Sequence, residues 1–320
     1  MDHNNDKKKI VLIGAGFVGM SFAFALLDAH ICEELGIIDI DRKRAEGEAM
    51  DLSHGLAFSG GNMKIYAADY ADCLDADLAV ICAGVPQKQG ESRIDLLNKN
   101  SAVFDEIVGK VVASGFDGIF LVATNPVDVM TTLTREKSGF PAHRVIGTGT
   151  TLDTARLRYL LGCYFAVDPR NVHAYVMGEH GDSEFVPWSQ AYVSTKNALA
   201  ICDQHKEFTR ADLDDISHQV KTAAYRIIEA KRATYYGIGM ALLRIARAIL
   251  NNEGSVLTVS AYLTGEYGQR DVNVGVPCVI GREGIRRVIE LDLTPVECAQ
   301  FAASCDFLRS VRDELVSKNG

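Results

Sequence analysis

Two short segments beyond residue 150 carry side chains that could transfer a proton and bind an anion. His180 lies in the glycine-containing run Gly178–Asp182, and an imidazole, with its ordinary pKa of about 6.5, can give or take a proton near neutral pH. Asp153 and Arg156 are three residues apart on a predicted helix and therefore share one face. Each has a simpler explanation, because a single histidine is often structural and the two charged residues could form an ordinary surface pair.

Two polar segments in the first half follow the carboxyl ends of apolar runs, where open α/β sheets bind their ligands. One is Ala123–Pro126, which contains Asn125. The other is Gly84–Arg93, a polar segment that we predict to be a lid carrying Arg93 at its far end. The alternative for the second segment is a solvated loop whose charges have no role.

A glycine-rich turn near the N-terminus predicts a dinucleotide site. Residues Gly14–Gly19 read GAGFVG, a GxGxxG pattern that follows an apolar run and opens a predicted helix, so that its backbone could approach a pyrophosphate. Asp39, twenty residues after Gly19, is placed to accept hydrogen bonds from the adenosine ribose. Asp39 and Asp41 would repel a 2′-phosphate and favour NAD over NADP, with Arg42 and Arg44 as a partial counterweight. A strand-to-helix turn without a ligand is the alternative.

The elements that position these residues are indicated by alternation in the first half of the chain. Short, continuous apolar runs predict strands that are buried on both faces; they are 9–14, 35–40, 63–67, 78–83, 118–123 and 144–147. Helix-period segments lie between them, at 18–30, 42–58, 92–113 and 127–137. This alternation predicts an α/β Rossmann domain with a doubly wound parallel sheet, over residues 1–149.

After about Gly149 the rhythm changes, and we expect an α+β catalytic or substrate domain over residues 150–320. Predicted helices cover 151–161, 211–231 and 237–251, extended runs cover 171–177, 255–263 and 275–280, and a helix ends the chain. Thr150 or Thr151 could cap the first of these helices.

Composition limits the partners. The 320 residues carry a formal net charge of −9, opposite to the basic field that nucleic acid or an anionic membrane selects. Eight scattered cysteines without a CxxC pair predict neither a disulfide framework nor a zinc site, and no metal is expected. The polar N-terminus has no signal-peptide pattern, and no apolar stretch approaches the roughly 20 residues that span a bilayer. We therefore expect a cytoplasmic protein.

Six motifs, in this order, resemble those of the NAD-dependent L-lactate and malate dehydrogenases, and most of all those of the bacterial L-lactate dehydrogenases. They are IGAGFVG with Asp39, AGVPQKQGESR, ATNPVD, GTGTTLDTARLR, NVHAYVMGEHGDSE and KRATYYGIG. The resemblance runs from about Lys9 to the C-terminal helix. One departure is Arg232, where relatives often have glycine.

The resemblance implies a role for each polar residue described above. His180 would be the general acid and base, and Asp153 would fix its tautomer and favour the imidazolium. Arg156 would bind the substrate carboxylate with a two-pronged pair of hydrogen bonds. Arg93 would polarise the substrate carbonyl when the lid closes, and Asn125 would hydrogen-bond the same oxygen.

The resemblance also implies which residues surround the cofactor and the substrate. The implied NAD-binding residues are Gly14, Gly16, Val18, Gly19, Asp39, Arg44, Tyr70, Gly84, Val85, Ala123, Asn125 and Thr148. Gln87 would meet the side chain of the substrate and Thr234 would line the far wall. Because Gln87 is neutral and a buried second carboxylate would require a cation, pyruvate and L-lactate are favoured over oxaloacetate and malate. A malate dehydrogenase and a non-catalytic NAD-binding protein are the alternatives.

Arg158 and His173 match residues that, in bacterial relatives, bind fructose 1,6-bisphosphate at a subunit interface of a homotetramer. A helix places Arg158 on roughly the opposite side from Arg156. The resemblance thus implies an allosteric effector. A solvated arginine and a structural histidine are the alternative.

Overall fold

The first half of the chain alternates strands and helices. The computed structural model describes residues 7–85 and 93–319, with side-chain surroundings for 7–85 and 97–315. The first six strands are β1 (Lys9–Ile13), β2 (Glu34–Ile38), β3 (Lys64–Ala67), β4 (Leu78–Ile81), β5 (Ile119–Val122) and β6 (Val145–Gly147). The helices between them are α1 (Phe17–Ala29), α2 (Arg42–Gly55), α3 (Arg93–Ala113) and α4 (Val127–Ser138).

These six strands form a parallel sheet in the order β3-β2-β1-β4-β5-β6. The order reverses between β1 and β4, which is the switch point where a doubly wound sheet binds its ligand. Every residue of β1, β4 and β5 is buried, which explains why the sequence shows continuous apolar runs there. The predicted Rossmann fold is confirmed.

The second half of the chain mixes helices with shorter and longer strands. Its elements are α5 (Thr151–Tyr164), β7 (Val172–His173), β8 (Tyr192–Val193), β9 (Lys196–Asn197), α6 (Ala198–Gln204), α7 (Arg210–Lys231), α8 (Tyr236–Leu250), β10 (Ser255–Thr264), β11 (Arg270–Gly281), β12 (Gly284–Val288) and α9 (Pro295–Asn319). β7, β8 and β9 form a small antiparallel sheet. β10, β11 and β12 are hydrogen-bonded neighbours in that order. None of the described helices is long and apolar enough to cross a membrane.

The chain folds into two compact units that are not contiguous in sequence. The first comprises Met1–Thr148, Tyr235–Ser255 and Ile280–Arg286, and the second comprises Gly149–Thr234, Val256–Val279 and Arg287–Gly320. Helix α8 therefore belongs to the first unit, where it packs on α1.

Helix α5 is fixed to the core of the second unit by one apolar face. Leu157 and Leu161, four residues apart, are fully buried in a cluster with Val172, Val176 and Val220. Burying each leucine stabilises the fold by about 1.5–3 kcal/mol. The polar residues of the first turn of α5 thus start from a rigid support.

Within the run predicted for residues 171–177, Val172–His173 forms a strand and Met177 pairs with Phe185 in an isolated antiparallel bridge, but the residues between them are not paired as a strand. Further along, helix α5 satisfies the backbone of Val176: its N–H donates to Thr154 Oγ1 (2.9 Å), and its carbonyl accepts from Thr150 Oγ1 (2.6 Å). Thr150 is the N-cap residue of α5 but does not cap with its side chain. The hydroxyl of Thr151 donates to the Thr258 carbonyl (2.9 Å), so neither threonine has the capping role considered above.

Candidate active site

The glycine turn after β1 has the shape that a pyrophosphate requires. Gly14 has φ +106°, and a Cβ there would lie 2.5 Å from the Ala83 backbone nitrogen. Gly16 is the N-cap residue of α1, so no side chain caps the first N–H groups of this helix. The space beside Gly16 is open, since a Cβ built there would meet no atom within 4 Å. The first N–H groups of a helix have no partner within the helix and favour an anion. The turn therefore fits the phosphates of a dinucleotide.

Asp39 is held beside this turn. Its Oδ2 accepts a hydrogen bond from the Ala15 N–H (2.7 Å) and its Oδ1 accepts one from the Asp41 N–H (3.0 Å). Arg42 is engaged elsewhere, since its Nη1 donates to Asp69 Oδ1 (2.6 Å). Arg44 pairs with Glu48 at 3.8 Å. An anchored carboxylate with both neighbouring arginines paired is consistent with NAD rather than NADP.

The other predicted cofactor residues follow the carboxyl ends of four strands. Val18 and Gly19 lie in the first turn of α1, Tyr70 follows β3, Gly84 and Val85 follow β4, Ala123 and Asn125 follow β5, and Thr148 follows β6. Because these strands are parallel, all these residues except Val18 and Gly19 lie at one edge of the sheet. Gln87 lies outside the described residues, and so does the side chain of Arg93, the first residue of α3.

Asn100 is a positioning residue that sequence reasoning missed. It is buried on α3, its Oδ1 accepts from the Val85 N–H (2.8 Å), and its Nδ2 donates to the Asn125 carbonyl (3.1 Å). One side chain thus ties the loops after β4 and β5 together. A polar residue inside a helix-period segment was the available signal, but nothing in its spacing pointed to these partners.

His180, Asp153 and Arg156 come together in the second unit, as the sequence predicted. His180 Nδ1 lies 2.6 Å from Asp153 Oδ2, and Arg156 Nη1 donates to Asp153 Oδ1 at 2.8 Å. The side chain of Asp153 is 2% exposed, that of Arg156 14% and that of His180 25%. Asp153 is therefore a buried carboxylate between the imidazole of His180 and the guanidinium of Arg156.

The electrostatics of this cluster determine the tautomer of His180. Burial alone would raise the pKa of Asp153, but the charge and hydrogen bond of His180 and the charge of Arg156 outweigh it and hold that pKa below its usual value. An ionised Asp153 can only accept, so Nδ1 of His180 carries a proton. Nδ1 is thereby committed to the Asp153 carboxylate.

The backbone on which His180 stands is clamped by close contacts. Gly178, with φ +97°, exchanges two hydrogen bonds with Gly275 (3.0 and 2.9 Å), and the Glu179 N–H donates to Ser304 Oγ (2.7 Å). A Cβ on Gly178 would lie 2.8 Å from Ser304 Oγ, and one on Gly275 would lie 2.6 Å from Thr150 Oγ1. The position of His180 therefore depends on glycine at positions 178 and 275, because a β-carbon at either would crowd a neighbouring hydroxyl oxygen.

Glu184 is a buried acid that sequence reasoning did not assign, although it ends the quoted GEHGDSE motif. It is 3% exposed. One ligand-type atom each of Glu184, Asp153 and His180 lie within 4.8 Å of one another. Its charge state therefore affects His180.

Arg158 and His173, the residues predicted to bind an effector, differ in their surroundings: Arg158 is packed against the protein and His173 is exposed. Arg158 Nε donates to the Ala174 carbonyl (3.0 Å), and its guanidinium lies 5.2 Å from the centre of the Tyr175 ring. Burial lowers the pKa of Arg158. His173 is exposed on β7. Arg158 thus contacts the two residues that follow His173 in the chain, Ala174 and Tyr175.

Thr234 is half-buried in the segment between α7 and α8, two residues after the departure noted at Arg232. Arg232 is the C-cap residue just after α7, with φ +69°, and its N–H donates to the Ile228 carbonyl (2.7 Å). Glycine adopts this left-handed conformation without strain, so Arg232 occupies a position whose backbone favours glycine.

A Rossmann sheet with a pyrophosphate-shaped turn, and a second unit carrying a histidine–aspartate–arginine cluster, define the class of nicotinamide-dependent oxidoreductases. Two protein-family models match the chain and support this class. The model of the lactate/malate dehydrogenase NAD binding domain matches residues 8–147, and the model of the lactate/malate dehydrogenase alpha/beta C-terminal domain matches residues 150–318.

Individual relatives match over almost the whole chain. L-lactate dehydrogenase 2 of Bacillus cereus is 54% identical over 301 residues, which cover 94% of this chain and 96% of that protein. L-lactate dehydrogenase of Geobacillus stearothermophilus is 54% identical over 308 residues, covering 96% and 97%. A ligand-bound crystal structure of the minor L-lactate dehydrogenase from Enterococcus mundtii has a TM-score of 0.96 at 48% identity, covering 97% and 99%.

The chain belongs to the lactate/malate dehydrogenase family. It is an enzyme, an NAD-dependent oxidoreductase, and the resemblance and cofactor predicted from its motifs are confirmed.

Proposed function

We propose that the protein is an L-lactate dehydrogenase, which interconverts pyruvate and L-lactate in the cytoplasm. The observation that carries the proposal is the 2.6 Å pair of His180 and Asp153 with Arg156 on the same carboxylate. Near-full-length similarity to proteins named L-lactate dehydrogenase supports it.

In the mechanism, the Gly14–Gly19 turn and Asp39 would hold NADH, which would supply a hydride for the carbonyl carbon of pyruvate. His180 gives the proton on Nε2 to the carbonyl oxygen, and the Asp153 carboxylate stabilises the imidazolium from which that proton comes. In the reverse direction, neutral His180 takes the hydroxyl proton of lactate. The roles that the resemblance implies for Asn125 and Arg93 at the carbonyl oxygen complete the proposal.

Arg156 has capacity for the substrate carboxylate beyond its bond to Asp153. A guanidinium has five N–H donors, of which Nη1 supplies one to Asp153 Oδ1. We assign the remaining donors on its edge to a two-pronged contact with the carboxylate of pyruvate. Asp153 thus orients both the acid and the anion-binding group.

The direct test follows NADH absorbance with the purified protein on addition of pyruvate or oxaloacetate. Oxidation of NADH with pyruvate at a much higher kcat/KM than with oxaloacetate supports the proposal. The reverse ratio identifies a malate dehydrogenase, and NADH binding without turnover of either acid identifies a non-catalytic NAD-binding protein.

Replacing Gln87 with arginine should shift preference towards oxaloacetate. A buried second carboxylate costs several kcal/mol unless a cation accompanies it, so the variant should change the pyruvate-to-oxaloacetate ratio of kcat/KM by about 10²-fold or more. Gln89→Arg is the matched control, since it adds the same charge two residues away. An unchanged ratio in Gln87→Arg removes Gln87 from the substrate site.

Fructose 1,6-bisphosphate should lower the KM for pyruvate by binding Arg158 and His173 in a homotetramer, because arginine and protonated histidine suit a phosphate. Saturation curves with and without millimolar effector, with sedimentation to give the assembly state, measure this. Arg158→Gln should abolish the response, whereas Arg170→Gln, which removes an exposed arginine paired with Asp168, should retain it. Coincident curves for the parent protein contradict the effector assignment.

A further inference from the structure

Glu184 lies in the second unit as an acid without a hydrogen-bond partner for one of its oxygens. Among the described residues, Oε1 of Glu184 is buried and accepts no hydrogen bond. An ionised carboxylate is costly in such a place, whereas a neutral carboxylic acid is tolerated. The geometry alone therefore favours a proton on Glu184.

Four charged groups act on Glu184, from three parts of the unit. Asp153 and Arg156 are on α5, and Lys221 is on α7. His180 is on the same loop as Glu184, four residues before it. Burial first, and the Asp153 anion second, raise the pKa of Glu184 to about 8, while His180, Lys221 and Arg156 oppose this. Two carboxyl groups that share one site rarely both ionise, and here the Arg156 bond keeps the charge on Asp153.

The same three residue types could bind a metal ion, but the hydrogen bonding argues against one. One oxygen of Asp153 already accepts from the Arg156 guanidinium and the other pairs with His180. A divalent cation in that position would sit against the positive charge of Arg156. The titration of Glu184, rather than metal binding, is the chemistry that fits the cluster.

We propose that Glu184 is a positioning residue that stays protonated at neutral pH and ionises in alkaline solution, where its charge raises the proton affinity of His180. The inference rests on the role proposed above for His180 as the general acid. As the solution becomes alkaline, the proton of Glu184 leaves to solvent, and the new negative charge stabilises the imidazolium. His180 therefore stays protonated to a higher pH than it would beside a residue that cannot ionise.

The test compares the parent with Glu184→Gln, which has nearly the same size but cannot ionise. At pH 6.5 the protonated Glu184 of the parent and the glutamine of the variant are both neutral, so neither places a charge beside His180. The kcat/KM of the variant for pyruvate should therefore stay within about threefold of the parent value. The alkaline limb of the profile should move to lower pH by on the order of one unit, as expected for loss of a charge at this distance. Glu297→Gln is the control: Glu297 is also buried, but it bonds Ser189 and Thr294, and its replacement should not move the limb.

A profile of Glu184→Gln that coincides with the parent, or moves to higher pH, overturns the proposal. If the variant does not fold, ¹³C NMR of the parent labelled at glutamate carboxyl carbons decides the question. One carboxyl titrating near pH 8 supports it, and complete ionisation of all glutamates below pH 6 overturns it. A parent that does not oxidise NADH with pyruvate contradicts the proposed function instead, and the NMR titration still reports on Glu184.

Discussion

Replacement of His180 by asparagine is expected to lower kcat for pyruvate reduction by between about 10²- and 10⁴-fold, the usual contribution of a positioned general acid. Asparagine can still donate a hydrogen bond to Asp153 but cannot give up a proton to the carbonyl oxygen. Steady-state rates of NADH oxidation measure the loss. NADH binding, followed by cofactor fluorescence, should change little because the glycine turn and Asp39, the residues proposed to hold the cofactor, are unaltered in the variant.

The control for this variant is His218→Asn, which removes an exposed histidine from α7 in the same unit. It should keep the rate of the parent. A His180→Asn enzyme with near-normal kcat across the pH range would show that another group supplies the proton and would remove His180 from the mechanism.

Replacement of Arg156 by lysine is expected to lower kcat/KM for pyruvate by about 10²- to 10³-fold, corresponding to about 3–4 kcal/mol for a buried, charged contact. Lysine keeps the positive charge but lacks the planar fork that can bind Asp153 and a substrate carboxylate together. Much of the loss should be in KM, because the carboxylate is bound in the ground state as well as in the transition state.

Arg170→Lys makes the same exchange at an exposed arginine paired with Asp168 and should leave both constants unchanged. The kinetics are best measured with pyruvate up to high millimolar concentrations so that KM and kcat separate. An Arg156→Lys enzyme that saturates with pyruvate at the concentration of the parent would place the carboxylate elsewhere.

The Rossmann half could be predicted because strands buried on both faces appear as continuous apolar runs. Strands β8, β9 and β12 were missed, since two-residue strands and a half-exposed one have no such pattern. The run ending at Met177 was predicted as one piece. Between the strand at Val172–His173 and the Met177–Phe185 bridge, however, hydroxyls at the start of α5, and not a neighbouring strand, bond the backbone of Val176. That partnership depends on tertiary packing.

The site divides in a similar way. His180, Asp153 and Arg156 were predicted as a set because the resemblance to the lactate and malate dehydrogenases pointed to them, and the structure brings their side chains into contact. Their catalytic roles stay predictions. Asn100 and Glu184 were missed because their importance depends on contacts in the folded chain. Asn100 accepts a hydrogen bond from the Val85 N–H, whereas one buried oxygen of Glu184 has no hydrogen-bond partner among the described residues. Gln87 and the side chain of Arg93 lie outside the described residues, so their roles remain predictions.

The paired glycines beneath His180 affect how this enzyme would respond to mutational mapping. Gly178 and Gly275 bond each other through their backbones, and added β-carbons would meet Ser304 and Thr150. Truncating side chains to alanine can test the Ser304 hydroxyl that accepts from the Glu179 N–H, but it leaves the backbone pairing of Gly178 with Gly275 untouched. That pairing is tested only by substitutions that add atoms, of which glycine to alanine at these two positions is the smallest.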